Sequence, residues 1–182
     1  MKTRIAATLL GCGLALSACG TEPPNALAHD TTAADPTTPL PAPTGETEIV
    51  ITGDLALPNV EDRGEVNLAL FDQFGSVAIS VDDPFERRTL NFQAVPADTF
   101  LGAFGIAPDA AITWSALDNY EVSLTRSQLA NEGAYIAFRT GDGAPLPINE
   151  GGPARIVFPD PSGEIGSEPN LWIWSISRLA VD

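Results

Sequence analysis

Cysteine, histidine, methionine and lysine are rare in this 182-residue sequence. Its two cysteines, one histidine, one methionine and one lysine all lie in residues 1–29. Neither a serine–histidine–aspartate triad nor a cysteine–histidine pair can therefore be assembled from residues 30–182. A zinc site made of Cys and His ligands is excluded there for the same reason, and so is an internal disulfide bond.

Positive charge is also scarce. The chain has 9 basic and 24 acidic residues and a formal charge of −15. If residues 1–18 are removed, the loss of Lys2 and Arg4 leaves seven basic residues, all arginine, and a formal charge of −17. A field of this sign repels the phosphate backbone of nucleic acids, which we therefore exclude as partners, and it favours solubility or cationic partners.

The first residues, MKTRIAATLLGCGLALSACG, are typical of a secretory signal peptide, with a basic start, an apolar run over 5–16 and small residues before Cys19. The apolar run is too short to span about 30 Å of hydrocarbon. The ending LSAC resembles the lipobox of bacterial lipoproteins, which implies cleavage after Ala18 and lipid attachment at Cys19. Acylation would also protect the only cysteine left after cleavage. An ordinary signal peptide with a chance cysteine is the alternative.

Residue Gly20 follows the proposed lipid-carrying cysteine. In bacterial lipoproteins an Asp at this position favours retention in the inner membrane. The resemblance therefore implies a lipid anchor in the bacterial cell envelope, in the outer membrane and facing the periplasm. The expected partners are the membrane, through the anchor, and an unidentified small molecule or envelope protein.

Composition divides the remaining chain into two parts. Residues 19–45 consist mainly of Pro, Thr, Ala and Asp, and so few apolar side chains cannot offset the entropy lost on ordering. We predict a disordered tether there, and its single histidine, His29, does not make a metal site. Residues 46–182 have the length of one domain.

Short strand-like runs dominate residues 46–182. Strands are predicted in TEIVITG, EVN, SVAISV, RTLNFQAV, AITWSAL, YEVSLT, AYIAFRT, ARIVFP and LWIWSISRLAV. Short helices are predicted after EVN, in ADTFLGAF and in RSQLANEG, with Gly105 ending the second. This pattern indicates a single mixed α+β domain.

Carboxylates are the remaining candidates for chemistry. Asp82 and Asp83 precede Pro84 and could bind a hard cation, although acids in a turn are more often solvated caps. Asp142 and Glu150 lie in a glycine-rich loop that lacks the spacing of a calcium loop. A carboxylate pair could hydrolyse a glycoside, but the sequence selects no pair. We therefore predict no catalytic residue and no metal ligand.

The three tryptophans allow two interpretations. Trp114, Trp172 and Trp174 could stack on sugars. Because Trp172 and Trp174 lie in an apolar terminal run, packing in the core is the favoured interpretation.

The stretch SALDNYEVSLTRSQLANEGAYIAFRTGDGAPLPINEGGPARIVFP contains an Asn119–Tyr120 turn, a Gly-x-Pro-Leu loop and a Gly-x-Pro-x-Arg-like element ending at Arg155. This order resembles the C-terminal half of the molybdopterin-binding oxidoreductase domain, the sulfite-oxidase fold. The resemblance covers most of residues 48–181. It implies a sulfite-oxidase-like α+β fold and a candidate cleft with Asn119, Tyr120 and Arg155. An arginine paired with an internal carboxylate is the alternative for Arg155.

The sequence departs from that family at two points. Active members hold molybdenum through a cysteine thiolate midway along the domain, where this chain reads FGSVAISVDDPFERRTLNF. They hold the pterin phosphate with basic side chains near the last strand, where Glu164 and Glu168 stand here. The resemblance thus implies a non-catalytic binding or accessory domain without the metal cofactor. A molybdopterin-dependent oxidoreductase that uses non-thiolate contacts is the alternative, and a carboxylate hydrolase is a third.

The lipobox predicts that Cys19→Ala abolishes lipidation and leaves precursor or a soluble product. The wild-type protein should partition into membranes, because two or more acyl chains give stable attachment where one is marginal. Membrane fractionation and mass spectrometry of the N-terminal peptide measure this. A wild-type protein recovered wholly as a soluble form without acyl mass would contradict it.

Overall fold

The structure is a computed structural model that describes residues 37–182. The predicted signal peptide, Cys19 and most of the predicted tether lie outside these residues. Among the described residues, no helix combines the length and the apolar character needed to cross a membrane.

The described part of the chain forms short strands joined by brief helices. The strands are β1 Ile49–Gly53, β2 Gly64–Val66, β3 Val77–Asp83, β4 Arg88–Pro96, β5 Ala111–Ala116, β6 Glu121–Thr125, β7 Tyr135–Thr140, β8 Arg155–Val157 and β9 Ile176–Val181. The α-helices are α1 Leu68–Phe71, α2 Ala97–Ala103 and α3 Arg126–Asn131. Three 3₁₀ turns cover Asp72–Phe74, Ile148–Glu150 and Pro169–Leu171.

Two sheets contain the strands. One has the order β2-β1-β9-β5-β6, in which β1 pairs with β9 in parallel and the other pairs are antiparallel. The other is antiparallel, with the order β3-β4-β7-β8. One mixed and one antiparallel sheet around one core, with few short helices, confirm the predicted single α+β domain.

A cluster of phenylalanines forms the centre of the core. Phe71 stacks on Phe138 with ring centroids 4.8 Å apart and on Phe100 at 5.4 Å. Phe74 and Phe104 complete the cluster, and all five rings are buried. Phe100 of α2 stacks on Phe71 of α1, which stacks on Phe138 of β7. Helices this short are not stable alone, so packing in the core stabilises α1 and α2.

Local signals mark the end of α2, where the sequence predicts it, and the start of α3. Gly105 follows α2 with a φ of 67°, which a glycine adopts without strain. In α3, the Thr125 hydroxyl accepts a hydrogen bond from the Gln128 amide at 3.1 Å, and the Gln128 side chain accepts one from the Thr125 amide at 2.8 Å. This reciprocal pair fixes the first turn of α3.

The packed region begins before residue 46. Leu40 is buried in the core, and the side-chain amides of Asn59 and Asn67 donate to the carbonyls of Pro41 and Thr44 at 3.2 and 3.0 Å. These contacts lie inside the range that composition assigned to the tether. One apolar residue among prolines and threonines does not reveal such packing, since the amides that hold the segment come from distant turns.

The predicted closing strand is shorter than expected. Within LWIWSISRLAV only Ile176–Val181 is strand, and Trp172 and Trp174 lie in the irregular segment before it. Ser175 separates the two parts with a φ of 51°, which β-strand geometry does not allow. The two tryptophans are therefore placed at the end of the sheet instead of along it.

The parallel pairing of β1 with β9 predicts a strong effect of Gly53→Ala. An added Cβ would lie 1.8 Å from the carbonyl oxygen of Val181, so β9 would have to move. Gly45→Ala is the matched control, since Gly45 has a φ of 102° against 100° for Gly53 but nothing within 4 Å of the added Cβ.

We expect Gly45→Ala to cost at most about 1–3 kcal/mol, the cost of the strained φ alone. Gly53→Ala should cost at least about 2 kcal/mol more, in the range of overpacked interiors. Chemical denaturation measures both changes, and equal losses for the two variants would contradict the close approach of the strands.

Candidate functional site: an aromatic cleft

An aromatic cleft of about 360 Å³ lies where the β3–β4 turn, the β5–β6 hairpin and the segment before β9 meet. These three segments belong to both sheets, so the cleft depends on how the sheets pack. The lining residues are Phe85 from the first segment, Ala116, Asp118 and Tyr120 from the second, and Pro169, Asn170, Trp172 and Trp174 from the third.

One corner of the cleft is an edge-to-face pair of rings. Phe85 and Trp174 have centroids 5.5 Å apart and an interplanar angle of 74°. Phe85 is 50% exposed, because the turn Pro84–Arg87 projects it from the sheet. The turn is held by Asp83, whose carboxylate accepts hydrogen bonds from the amides of Phe85 and Glu86 at 2.9 and 2.8 Å. The buried Asp83 carboxylate thus holds the turn on which the Phe85 ring is exposed.

A second part of the cleft lining is the β5–β6 hairpin. Asn119 has a φ of 66°, a conformation that asparagine tolerates better than most residues. The Asp118 carboxylate accepts a hydrogen bond from the Tyr120 amide at 3.0 Å. The Tyr120 hydroxyl donates to the Asn170 carbonyl at 2.8 Å, which ties the hairpin to the segment before β9. The Tyr120 ring, 46% exposed, is therefore held at both ends.

Trp172 is the buried ring of the cleft. Its indole nitrogen donates to the Gly166 carbonyl at 2.8 Å, and its ring packs on Phe158 with centroids 5.3 Å apart. Only 3% of this residue is exposed. Trp114 is fully buried in the core, away from the cleft lining. Core packing, the favoured interpretation of the tryptophans, thus describes Trp114 and Trp172 but not the partly exposed Trp174.

A buried ion pair lies beneath Trp174. Arg155 donates to the Asp83 carboxylate at 2.5 Å, and both side chains are completely buried. The Arg155 guanidinium carbon lies 3.9 Å from the centroid of the Trp174 ring. Arg155 also donates to the Glu150 carbonyl at 3.2 Å, while its Nε has no partner. Burial lowers the pKa of Arg155 from its ordinary value, and the Asp83 carboxylate opposes that shift.

Gly151 makes room for this arrangement. A Cβ at this position would lie 2.8 Å from Arg155 Cδ and 3.1 Å from Trp174 Cγ. The glycine-rich loop between β7 and β8 is therefore structural at this point, because its backbone passes directly over the stacked guanidinium and indole.

The structure places the three sequence-predicted cleft residues differently. Tyr120 lines the aromatic cleft, and Asn119 lies on the exposed turn beside it. Arg155 is fully buried and is not among the lining residues, so its geometry is that of the alternative, an arginine paired with an internal carboxylate. A binding role for the three residues stays a prediction.

The predicted solvent exposure of Asp83 was wrong. The sequence favoured a solvated turn cap for Asp82 and Asp83, and Asp82 is exposed as expected. Asp83 caps the turn but is 2% exposed, because its second oxygen binds Arg155. The partner lies 72 positions away in the sequence, so local spacing did not indicate the pair.

Sequence reasoning missed Phe85 and Asp118 as lining residues. A signal for Phe85 was present, since it is the single large apolar residue in the polar turn DDPFERR and no core position follows from the strand pattern there. No comparable signal marks Asp118, whose position depends on the hairpin and on the contact between Tyr120 and Asn170.

A second, wider depression of about 700 Å³ lies on β3, β4 and the loop after β7. Small polar side chains such as Ser80, Asn91 and Thr140 line much of it, together with Asp142 and Glu150. The Asp142 carboxylate accepts a hydrogen bond from the Thr140 hydroxyl, which lowers the pKa of Asp142. Among the described residues, no group of three His, Cys, Asp or Glu side chains could hold a metal ion.

Comparison with solved structures supports the fold. No family model matches the sequence, and no curated protein is significantly similar to it. The structure is similar to the sulfane dehydrogenase SoxCD from Paracoccus pantotrophus, with a TM-score of 0.54 and 16% identity over 73% of this chain. The chain spans 37% of that protein's length. This similarity confirms the predicted sulfite-oxidase-like fold, and at this identity it bears on the fold alone.

The buried ion pair predicts that Arg155→Ala destabilises the domain by about 3–5 kcal/mol, because Asp83 keeps a buried charge without its partner. Replacing both residues together, as Asp83→Leu with Arg155→Met, should cost much less than the sum of the single changes. Chemical denaturation measures these values.

The control is Asp98→Asn, which removes a partner from the exposed pair between Asp98 and Arg126, with a nitrogen–oxygen distance of 2.6 Å. We expect a loss of at most about 1 kcal/mol. An Arg155→Ala loss no larger than that of Asp98→Asn would show that Arg155 is not a buried structural partner.

Proposed function

We propose that this chain is a lipid-anchored protein of the bacterial cell envelope whose sulfite-oxidase-like domain has a non-catalytic binding or accessory role and works without the metal cofactor. The observation that carries the proposal is a preformed aromatic cleft in a domain without sulfur or imidazole donors. Ligand sites are typically concave and mostly apolar with few polar groups, and the cleft has this character.

The donor set does not fit molybdenum held by a thiolate. Soft thiolate ligands are needed for that type of coordination, and residues 37–182 contain no cysteine, methionine or histidine. The carboxylates of the described residues form no cluster that could substitute for them. No step of molybdenum chemistry is therefore assigned to this chain.

The arginines do not fit the phosphate of a bound pterin. Five of the seven arginines in the described residues are engaged in ion pairs, and none of the seven lines the aromatic cleft. The only charged residue of the lining is Asp118, which would repel a phosphate. An anionic cofactor is therefore disfavoured at this cleft.

Anchoring is supported by the sequence alone. The LSAC motif predicts that the lipid is attached to Cys19, and the composition of residues 19–45 predicts a tether between the anchor and the domain. The outer membrane, facing the periplasm, is the proposed location, and an envelope protein or a small molecule is the proposed partner.

The proposal predicts that protein purified from its own host, or made in a host with an active cofactor pathway, contains no stoichiometric molybdenum. Elemental analysis measures the metal, and fluorescence after denaturation measures released pterin. A molybdopterin enzyme of similar fold, prepared from the same host, is the positive control. Near one molybdenum per chain would refute the proposal and favour the alternative, an oxidoreductase with non-thiolate contacts.

A further inference from the structure

We propose that the aromatic cleft binds a small organic cation, and specifically a quaternary ammonium group such as that of choline. This inference rests on the proposed binding function and names its ligand class. Aromatic faces around a methylated ammonium are a known solution to the binding of such cations, because the negative ring faces attract the charge while the methyl groups stay in an apolar environment.

The ring arrangement fits a compact cation better than a flat ligand. The 74° angle between Phe85 and Trp174 forms a corner, and Tyr120 is a third partly exposed ring of the lining. This pair does not offer the two parallel faces that a planar ligand would need for stacking on both sides. Rings that meet at a corner surround a rounded group instead.

Charge is the second argument. Asp118 is the only charged side chain of the lining, and its carboxylate has one hydrogen bond, to the Tyr120 amide through Oδ1. The whole chain has a formal charge of −15, so its field concentrates cations near the surface. Arg87, on the Phe85 turn, is exposed and does not line the cleft.

The buried guanidinium behind Trp174 does not cancel this attraction. Arg155 is completely buried, so the Trp174 face that it covers is turned away from solvent. Its charge is neutralised by Asp83 at 2.5 Å, Glu150 acts on it as a further negative group, and Glu86 is itself paired with Arg88 at 3.5 Å. The balance of charge around the cleft is therefore negative.

A sugar fits the lining less well. Sugars present many hydroxyl groups, each of which loses a hydrogen bond to water when it is left unpaired in a site. The lining offers only two hydrogen-bonding side chains besides tryptophan and tyrosine, Asp118 and Asn170. A quaternary ammonium group needs no hydrogen bonds from the site.

The test is a titration of the purified full-length protein with three probes, in which binding is measured by calorimetry and by tryptophan fluorescence. The first is choline and the second is glycerophosphocholine, which carries the same cation as a lipid headgroup does. The third is 3,3-dimethylbutan-1-ol, the uncharged isostere of choline. We expect choline to bind at least about tenfold more tightly than the alcohol, which corresponds to about 1.4 kcal/mol of charge-dependent affinity.

Variants assign the binding to the cleft. Phe85→Leu and Tyr120→Leu each remove one aromatic face and should weaken choline binding by about three- to thirtyfold. Asp118→Asn should also weaken choline binding. The loss of affinity should be smaller at high salt, because salt already screens the attraction between Asp118 and the cation in the wild-type protein. Two different ring variants keep the test decisive if one of them fails to fold.

The matched controls change similar groups elsewhere. Asp62→Asn removes an exposed carboxylate that does not line the cleft, and Ile148→Ala shortens an exposed apolar side chain outside it. Both should leave choline affinity within about twofold, since the small change in overall field is screened at physiological salt.

The outcomes separate this inference from the proposed function. Choline or glycerophosphocholine binding that depends on Phe85 and Tyr120 supports the inference. Tighter binding of choline identifies a free cation as the source, and tighter binding of glycerophosphocholine identifies a lipid headgroup. Equal affinity for choline and the alcohol overturns it, because the cleft would then be merely apolar. Absence of choline and glycerophosphocholine binding also overturns it, whereas the non-catalytic role is decided independently by the molybdenum analysis.

Discussion

The buried ion pair between Asp83 and Arg155 links the core of this protein to its surface. Asp83 ends β3 and Arg155 begins β8, the two outer strands of the four-stranded sheet. One oxygen of Asp83 binds the guanidinium, and the other organises the turn that carries Phe85. The guanidinium in turn supports Trp174. Both members of the aromatic corner therefore depend on a single carboxylate.

Burial gives this pair its structural importance. Desolvation of two charges is costly, and only the close contact and added hydrogen bonds offset it. Arg155 lies between Phe92 and Trp174, 5.5 and 3.9 Å from their centroids, so aromatic faces replace part of the lost water. An arginine suits such a place better than a lysine because its planar, weakly hydrated head stacks on rings.

Much of the fold follows from local sequence signals. The capping box of Thr125 and Gln128, the helix end at Gly105 and the alternation in β4 are each readable over a few residues. The class of fold follows from the order of these elements. The predicted start of the packed domain was wrong, since Leu40 is already buried, and so was the predicted start of β9. At both places packing against distant residues outweighs local composition.

The site was less predictable, for a physical reason. Tyr120 was identified through a family resemblance, whereas the roles of Asp83, Phe85 and Asp118 depend on contacts between segments far apart in the chain. A carboxylate in a turn has the same local sequence whether it is solvated or paired 72 positions away. Spacing carries no information on this choice, since the pair joins side chains of β3 and β8, the two outer strands, which are not neighbours in the sheet.

The scarcity of cationic side chains determines both the fold's ion pairs and the charge of the cleft. With five of the seven arginines of the described residues in ion pairs, positive charge in this domain serves mainly to hold carboxylates and strands in place. Asp118 has no arginine partner among residues 37–182 and stays exposed beside aromatic rings. A cleft with rings for walls and one unpaired carboxylate at its edge attracts positive charge and repels phosphate, so its ligand chemistry is opposite in sign to that of an anionic pterin.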